Sequence, residues 1–158
     1  MNKVVELDDI ILTIKPNVMY KFLEYIQNTN LKPESGGILI GYYIDEYSFI
    51  ITDISTPTDN DTCSRYSFIR SHKNAQRFIR QKFIKSNGKK IYLGEWHTHP
   101  ENCPTPSNVD ILSYKKQLNI NILNSKITFM IIVGLLKIYV GVYKNDTLKN
   151  IEYISYLS

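Results

Sequence analysis

Two histidines stand two residues apart in the run Gly94-Glu95-Trp96-His97-Thr98-His99-Pro100; seven residues after His99 comes Ser107, and three further Asp110. Side chains alternate across a strand, so His97 and His99 point to one face, close enough to share an ion. Ser107 and Asp110, three apart at a helix start, face the same side of one turn. Pro100, Pro104 and Pro106 stiffen the intervening loop, which can fold the helix start back against the strand end with little entropy left to lose. Two imidazoles and a carboxylate, with a fourth position left for water, are the ligand set of a catalytic zinc site. Zinc lowers the pKa of a bound water to about 7, and a nearby carboxylate must then take the proton and pass it to a leaving amine. Glu34, Glu95 and Glu101 are the candidates. Glu34 sits just before Ser35-Gly36-Gly37, where glycines allow close backbone approach.

Each of these features has a plainer meaning when taken alone. Ser107-x-x-Asp110 before an apolar run reads as a helix capping box, and Glu34-Ser-Gly-Gly as a tight turn into a strand. Glu95 shares parity with the histidines and reads as a partner holding an imidazole rather than as a base. Trp96 and Thr98 face the other way, toward the core, and Cys103 reads as an inert small residue. The functional reading rests on the joint occurrence of these elements at fixed spacing.

The elements that must position them alternate along the chain. Residues 9–14 predict a strand, and Pro16 opens a helix with Val18, Met19, Phe22, Leu23 and Ile26 at helical spacing. Residues 36–44 and 47–55 predict an antiparallel pair. Residues 56–64 form a polar loop, mobile by composition, and 65–70 a further strand. Residues 73–86 predict an amphipathic helix with Ala75, Phe78, Ile79 and Phe83 on one face. A strand at 89–99, the proline loop at 100–107, a helix at 107–119 and a hairpin from ITFMIIVG and KIYVGVY follow; residues 148–157 fit an edge strand or a short helix. The expected class is α/β or α+β, a mixed sheet with about three helices around it.

At 158 residues the chain suits one domain, 1–158. With 43% hydrophobic and 22% charged residues it is neither disordered, collagenous nor coiled coil. Nineteen basic against fifteen acidic residues give +4, with no block of like charge to indicate nucleic-acid binding. Two cysteines are too few for a secreted disulfide scaffold, and the first residues lack a signal-peptide pattern, so a cytoplasmic setting is expected. Gly134, Lys137 and Gly141 interrupt the longest apolar run, so no membrane span is predicted.

The constellation resembles the JAMM motif of the MPN-type metallopeptidases, in their prokaryotic JAB form. His97-x-His99, seven residues, Ser107, two residues and Asp110 match the motif in full, and Glu34 in ESGGILIG matches the family's remote glutamate. The resemblance implies that His97, His99 and Asp110 bind one zinc ion, that Glu34 is the general acid/base, and that Ser107 stabilises the oxyanion of the tetrahedral intermediate. It implies a curved mixed sheet flanked by helices, related to the fold of cytidine deaminases. The implied reaction is hydrolysis of an isopeptide or peptide bond after the C-terminal tail of a ubiquitin-like protein. The phrasing YLGEWHTHPE followed by PTPSNVD is similar to the JAMM isopeptidases of bacterial CBASS anti-phage operons, which release a CD-NTase from its conjugates; Glu95 and Glu101 favour that subgroup. The chain is close to a minimal core, without room for the insertions that grip ubiquitin in eukaryotic relatives. An extended tail along a sheet edge would suffice.

Four other readings are separable. The same chemistry could serve a ubiquitin-like or ThiS-like sulfur-carrier protein, which neighbouring genes would reveal. A non-catalytic MPN scaffold typically lacks some ligands, and all are present here. A nucleobase deaminase needs a PCxxC pair; Cys103 precedes Pro104 and no second cysteine follows, which excludes it. A nucleic-acid role like that of RadC-type relatives has only the small basic excess behind it.

Overall fold

The computed structural model describes residues 1–121 and 123–156. Its strands are β1 (Lys3–Leu7), β2 (Ile10–Ile14), β3 (Gly36–Asp45), β4 (Ser48–Ile54), β5 (Thr62–Ser64), β6 (Ser67–Ile69), β7 (Ile91–Thr98), β8 (Ile127–Val133), β9 (Lys137–Lys144) and β10 (Thr147–Ser155). Its helices are α1 (Pro16–Glu24), α2 (His72–Lys85) and α3 (Asn108–Ile120). Eight strands form one mixed sheet in the order β1-β2-β4-β3-β7-β8-β9-β10. The β2/β4 and β7/β8 pairs are parallel and the rest antiparallel. The sheet curls until its edge strands β1 and β10 approach one another. The α+β expectation holds.

Alternation decides which side chain goes where. On β8, Phe129, Ile131 and Val133 enter the core enclosed by the curved sheet, while Met130 and Ile132 meet Tyr114 and Leu118 of α3 on the outer face. Burial on both faces is why this strand reads as an unbroken apolar run. Helix α1 sends Val18, Met19 and Phe22 into the enclosed core, where Phe22 packs 5.3 Å from Trp96. Ala75, Phe78 and Ile79 of α2 cover Ile38 and Ile40 of β3.

Some expectations need correction. Leu23 and Phe83 do not join the packed faces of their helices and are 42% and 41% exposed. Phe83 instead lies against the turn at Gly88. Strand β1 is absent from the expectations; it pairs with β2 across a turn in which Asp8 takes φ +58°. The 56–64 loop ends in β5, which forms a separate two-stranded sheet with β6, so the 65–70 strand shortens to 67–69 and leaves the main sheet. The 148–157 segment resolves as β10 up to Ser155, with Leu157 outside the described residues. Cys63 and Cys103 are free and exposed. Among the described residues no helix is long and apolar enough to cross a membrane.

Candidate metal centre

The site assembles where β3 begins and β7 ends. Gly36 pairs with His97 in the antiparallel register. Thr98 N–H donates to the Ser35 carbonyl at 2.9 Å, and Ser35 N–H donates to Thr98 Oγ1 at 3.0 Å, carrying the pairing beyond the strand. One step further, Glu34 lies opposite His99 on the face both histidines share. Gly36 is required here, since a Cβ would sit 2.6 Å from the Trp96 carbonyl and 2.7 Å from the Phe68 ring.

The other wall comes from α3. The capping box is real: Asp110 N–H donates to Ser107 Oγ at 3.1 Å, and Ser107 N–H donates to Asp110 Oδ2 at 2.8 Å. The same Oδ2 lies 3.3 Å from His97 Nε2 and 3.2 Å from His99 Nε2. The plain reading of Ser107-x-x-Asp110 as a capping box therefore holds, and the same box brings the Asp110 carboxylate to both imidazoles. Tyr114 ties the helix down by donating its hydroxyl to the Phe129 carbonyl at 3.0 Å.

Donor atoms of Glu34, His97, His99 and Asp110 all lie within 4.8 Å of one another. A tetrahedral zinc with bonds of about 2.0–2.1 Å holds its ligand atoms roughly 3.3 Å apart, which is the spacing of both imidazoles from Asp110. His97 Nε2 is buried and makes no aligned hydrogen bond, although Asp110 is near. A buried nitrogen without a hydrogen-bond partner, aimed at a carboxylate oxygen across the span of a coordination shell, fits a metal ligand better than a structural histidine. The donor set of two imidazoles and carboxylate oxygen suits zinc among the divalent ions.

The electrostatics follow from enclosure. Burial pushes the Glu34 carboxyl up to about 7, against the pull of His97 and His99, with Asp110 adding to the rise. Burial also works against the Asp110 carboxylate, yet the two imidazoles and the Ser107 N–H overcome it and hold it well below the ordinary carboxylate range. For His99, burial favours the neutral ring, but its contact with Asp110 outweighs that and raises its pKa.

The chain matches the model of the prokaryotic homologs of the JAB domain over residues 19–146. It belongs to the prokaryotic JAB family. It is similar to proteins named CD-NTase/cGAS isopeptidase: 37% identical to that of Escherichia coli strain TW11681 over 152 residues, 94% of each chain. The one from Vibrio cholerae is 35% identical over 133 residues, 84% of this chain and 82% of that protein. Among solved structures, that of protein DSY2949 from Desulfitobacterium hafniense has a TM-score of 0.57 at 18% identity, covering 91% of this chain and 90% of that one, which is a likeness of fold.

The carboxylates beside this JAB motif do not divide as the sequence suggests. Glu95 holds no imidazole: Arg70 Nε donates to its Oε1, and Tyr92 Oη donates to its Oε2 at 3.3 Å. A bulge brings Tyr92 to it. Register slips between Leu39 and Ile40, leaving Leu93 unpaired beside Gly94 at φ +134°, so Tyr92 and Glu95 share a face. Glu101, in turn, stands 2.8 Å from His99 Nδ1. Trp96 and Thr98 are buried as expected. Sequence reasoning missed Gln27, which is buried, accepts from Thr98 Oγ1 at 2.8 Å and donates to the Arg65 carbonyl at 2.9 Å.

Proposed function

We propose that this chain, as one JAMM/MPN domain over residues 1–158, is a zinc-dependent isopeptidase. Its proposed substrate is a protein conjugate whose extended C-terminal tail it severs, with a CD-NTase as carrier and anti-phage defence as setting. The names of the relatives support the carrier. The observation that carries the chemistry is the convergence of Glu34, His97, His99 and Asp110, from three separated segments, on a space the size of one ion.

His97, His99 and Asp110 would hold the ion. Bound zinc would acidify a coordinated water and polarise the scissile carbonyl. Glu34 takes a proton from the attacking water and returns it to the leaving nitrogen as the C–N bond breaks, giving a tail carboxylate and a free amine. Its enclosure beside His97, His99 and Asp110 places it within reach of both transfers. Ser107 Oγ accepts from Asp110 N–H, so its own hydroxyl hydrogen is free to donate to the developing oxyanion.

The test is cleavage of a fusion joined to a CD-NTase C-terminus, with the product mass giving the bond. Wild-type protein cleaves it, a chelator arrests cleavage and zinc restores it. Glu34→Gln lowers kcat by about 10²–10⁴-fold. Undiminished cleavage by Glu34→Gln would exclude the assigned mechanism; cleavage only of a sulfur-carrier fusion would replace the carrier.

A further inference from the structure

His99 uses both ring nitrogens. Nε2 faces Asp110 Oδ2 at 3.2 Å and Nδ1 faces Glu101 Oε1 at 2.8 Å. A carboxylate only accepts, so Nδ1 must carry a hydrogen. When the ring is neutral, the closer contact at Glu101 keeps that hydrogen on Nδ1 and leaves the lone pair on Nε2, where a metal would need it. Glu101 is 49% exposed at its side chain and is not held by burial. Its backbone is what fixes it. The Glu101 carbonyl accepts from Leu135 N–H at 2.7 Å, and the Asn102 carbonyl from Leu136 and Lys137 N–H at 3.1 and 3.0 Å. His99 N–H itself donates to the Val133 carbonyl at 3.1 Å. One short segment, the turn from β8 into β9, therefore grips the chain on both sides of Pro100. The grip needs Gly134, where a Cβ would lie 2.4 Å from Pro104 Cδ and 2.6 Å from the Glu101 carbonyl oxygen.

We propose that Glu101 is a positioning residue that selects the Nδ1–H tautomer of His99 for metal binding, and that the Gly134 turn sets Glu101 in place. This rests on the zinc reading of the site but is separable from it.

Two measurements on the purified chain test it. In zinc-free protein, at a pH high enough for the ring to be neutral, imidazole ¹⁵N NMR should show His99 as the Nδ1–H tautomer in the wild type and a shift toward Nε2–H in Glu101→Leu, where Asp110 is the acceptor that remains. Zinc affinity, measured by competition with a chromophoric chelator, should fall about 10–100-fold in Glu101→Leu. It should fall less in Glu101→Gln, which keeps an acceptor. Gly134→Ala should weaken zinc binding too, and combining it with Glu101→Leu should cost less than the two changes added, because both act through one contact. Unaltered tautomer and zinc affinity in Glu101→Leu, with His97→Ala losing zinc, would overturn the proposal. A wild-type protein that takes up no zinc would instead overturn the metal reading, and the zinc-free tautomer would still decide the role of Glu101. Should Gly134→Ala fail to fold, the exposed Glu101 variants decide alone.

Discussion

At the scale of single residues, the hydroxyl of Thr98 does more for the site than its core position suggests. It accepts from Ser35 N–H, donates to Gln27 Oε1 and is fully buried. Glu34 is the next residue along from Ser35, so the hydroxyl helps hold Glu34 opposite His99. Thr98→Val keeps the shape and leaves two buried polar groups unpaired, each costing about 1–3 kcal/mol. We expect a lower urea midpoint at unchanged slope, together with a fall in kcat larger than any change in KM. Normal kcat in a destabilised variant would show that Glu34 is placed without this link. The sequence makes Thr98 a core residue by parity alone, and the structure agrees. It gives no sign of Gln27, because that partner is 71 residues away and alternation speaks only of faces within one strand. Glu95 shows the same limit. Parity aligns it with the histidines, but the bulge at Leu93 and the arrival of Arg70 decide what it touches.

At the scale of elements, the strands and helices with strong periodicity are legible, including those that carry the histidines, Ser107 and Asp110. Strand β1 is not, because its short alternation over Lys3–Leu7 resembles many solvated segments until β2 gives it a partner. The β5–β6 hairpin is equally hidden: three-residue strands carry too little pattern to stand out from a polar loop. Side-chain clamps between elements are invisible as well. Asp53 of β4 receives Lys82 of α2 at 3.0 Å and Lys90, just ahead of β7, at 2.8 Å. Burial disfavours its charge, yet hydrogen bonds from Lys90, Thr52 and Lys82 prevail and hold its pKa at about 2. A depressed carboxylate contributes stability that is present above its unfolded pKa of 3.8 and lost as pH falls through about 2. With both lysines partly solvated, the contribution is about 1–2 kcal/mol. Asp53→Asn should therefore unfold more readily than wild type at pH 7, and the gap should close by pH 2 in thermal melts. A gap that persists at pH 2 would mean the side chain acts by packing rather than by charge.

At the scale of the whole molecule, the site couples the start of β3, the end of β7 and the first turn of α3, so its ionisation bears on global stability. Without metal, Glu34 is enclosed with a pKa raised from 4.5 to about 7. A raised carboxyl gives stability that is full below 4.5 and lost as pH rises through about 7. His99, also raised, loses its contribution in the same direction, above its ordinary value of 6.5. Asp110 is depressed, and its contribution fades only below 3.8, outside this window. The metal-free protein should thus weaken between pH 5 and pH 8, by about 3 kcal/mol at most from Glu34, and Glu34→Gln should make the profile shallower, leaving the part that His99 carries. Zinc should reverse the trend. It needs deprotonated ligands, so it binds better as pH rises. At a hundredfold excess over Kd it adds about 2.7 kcal/mol. Calorimetry of the chelated and zinc-loaded forms at pH 5 and pH 8 checks both halves. A chelated protein as stable at pH 8 as at pH 5 would mean that Glu34 is more hydrated than its enclosure implies, and Glu34→Gln would then leave the profile unchanged.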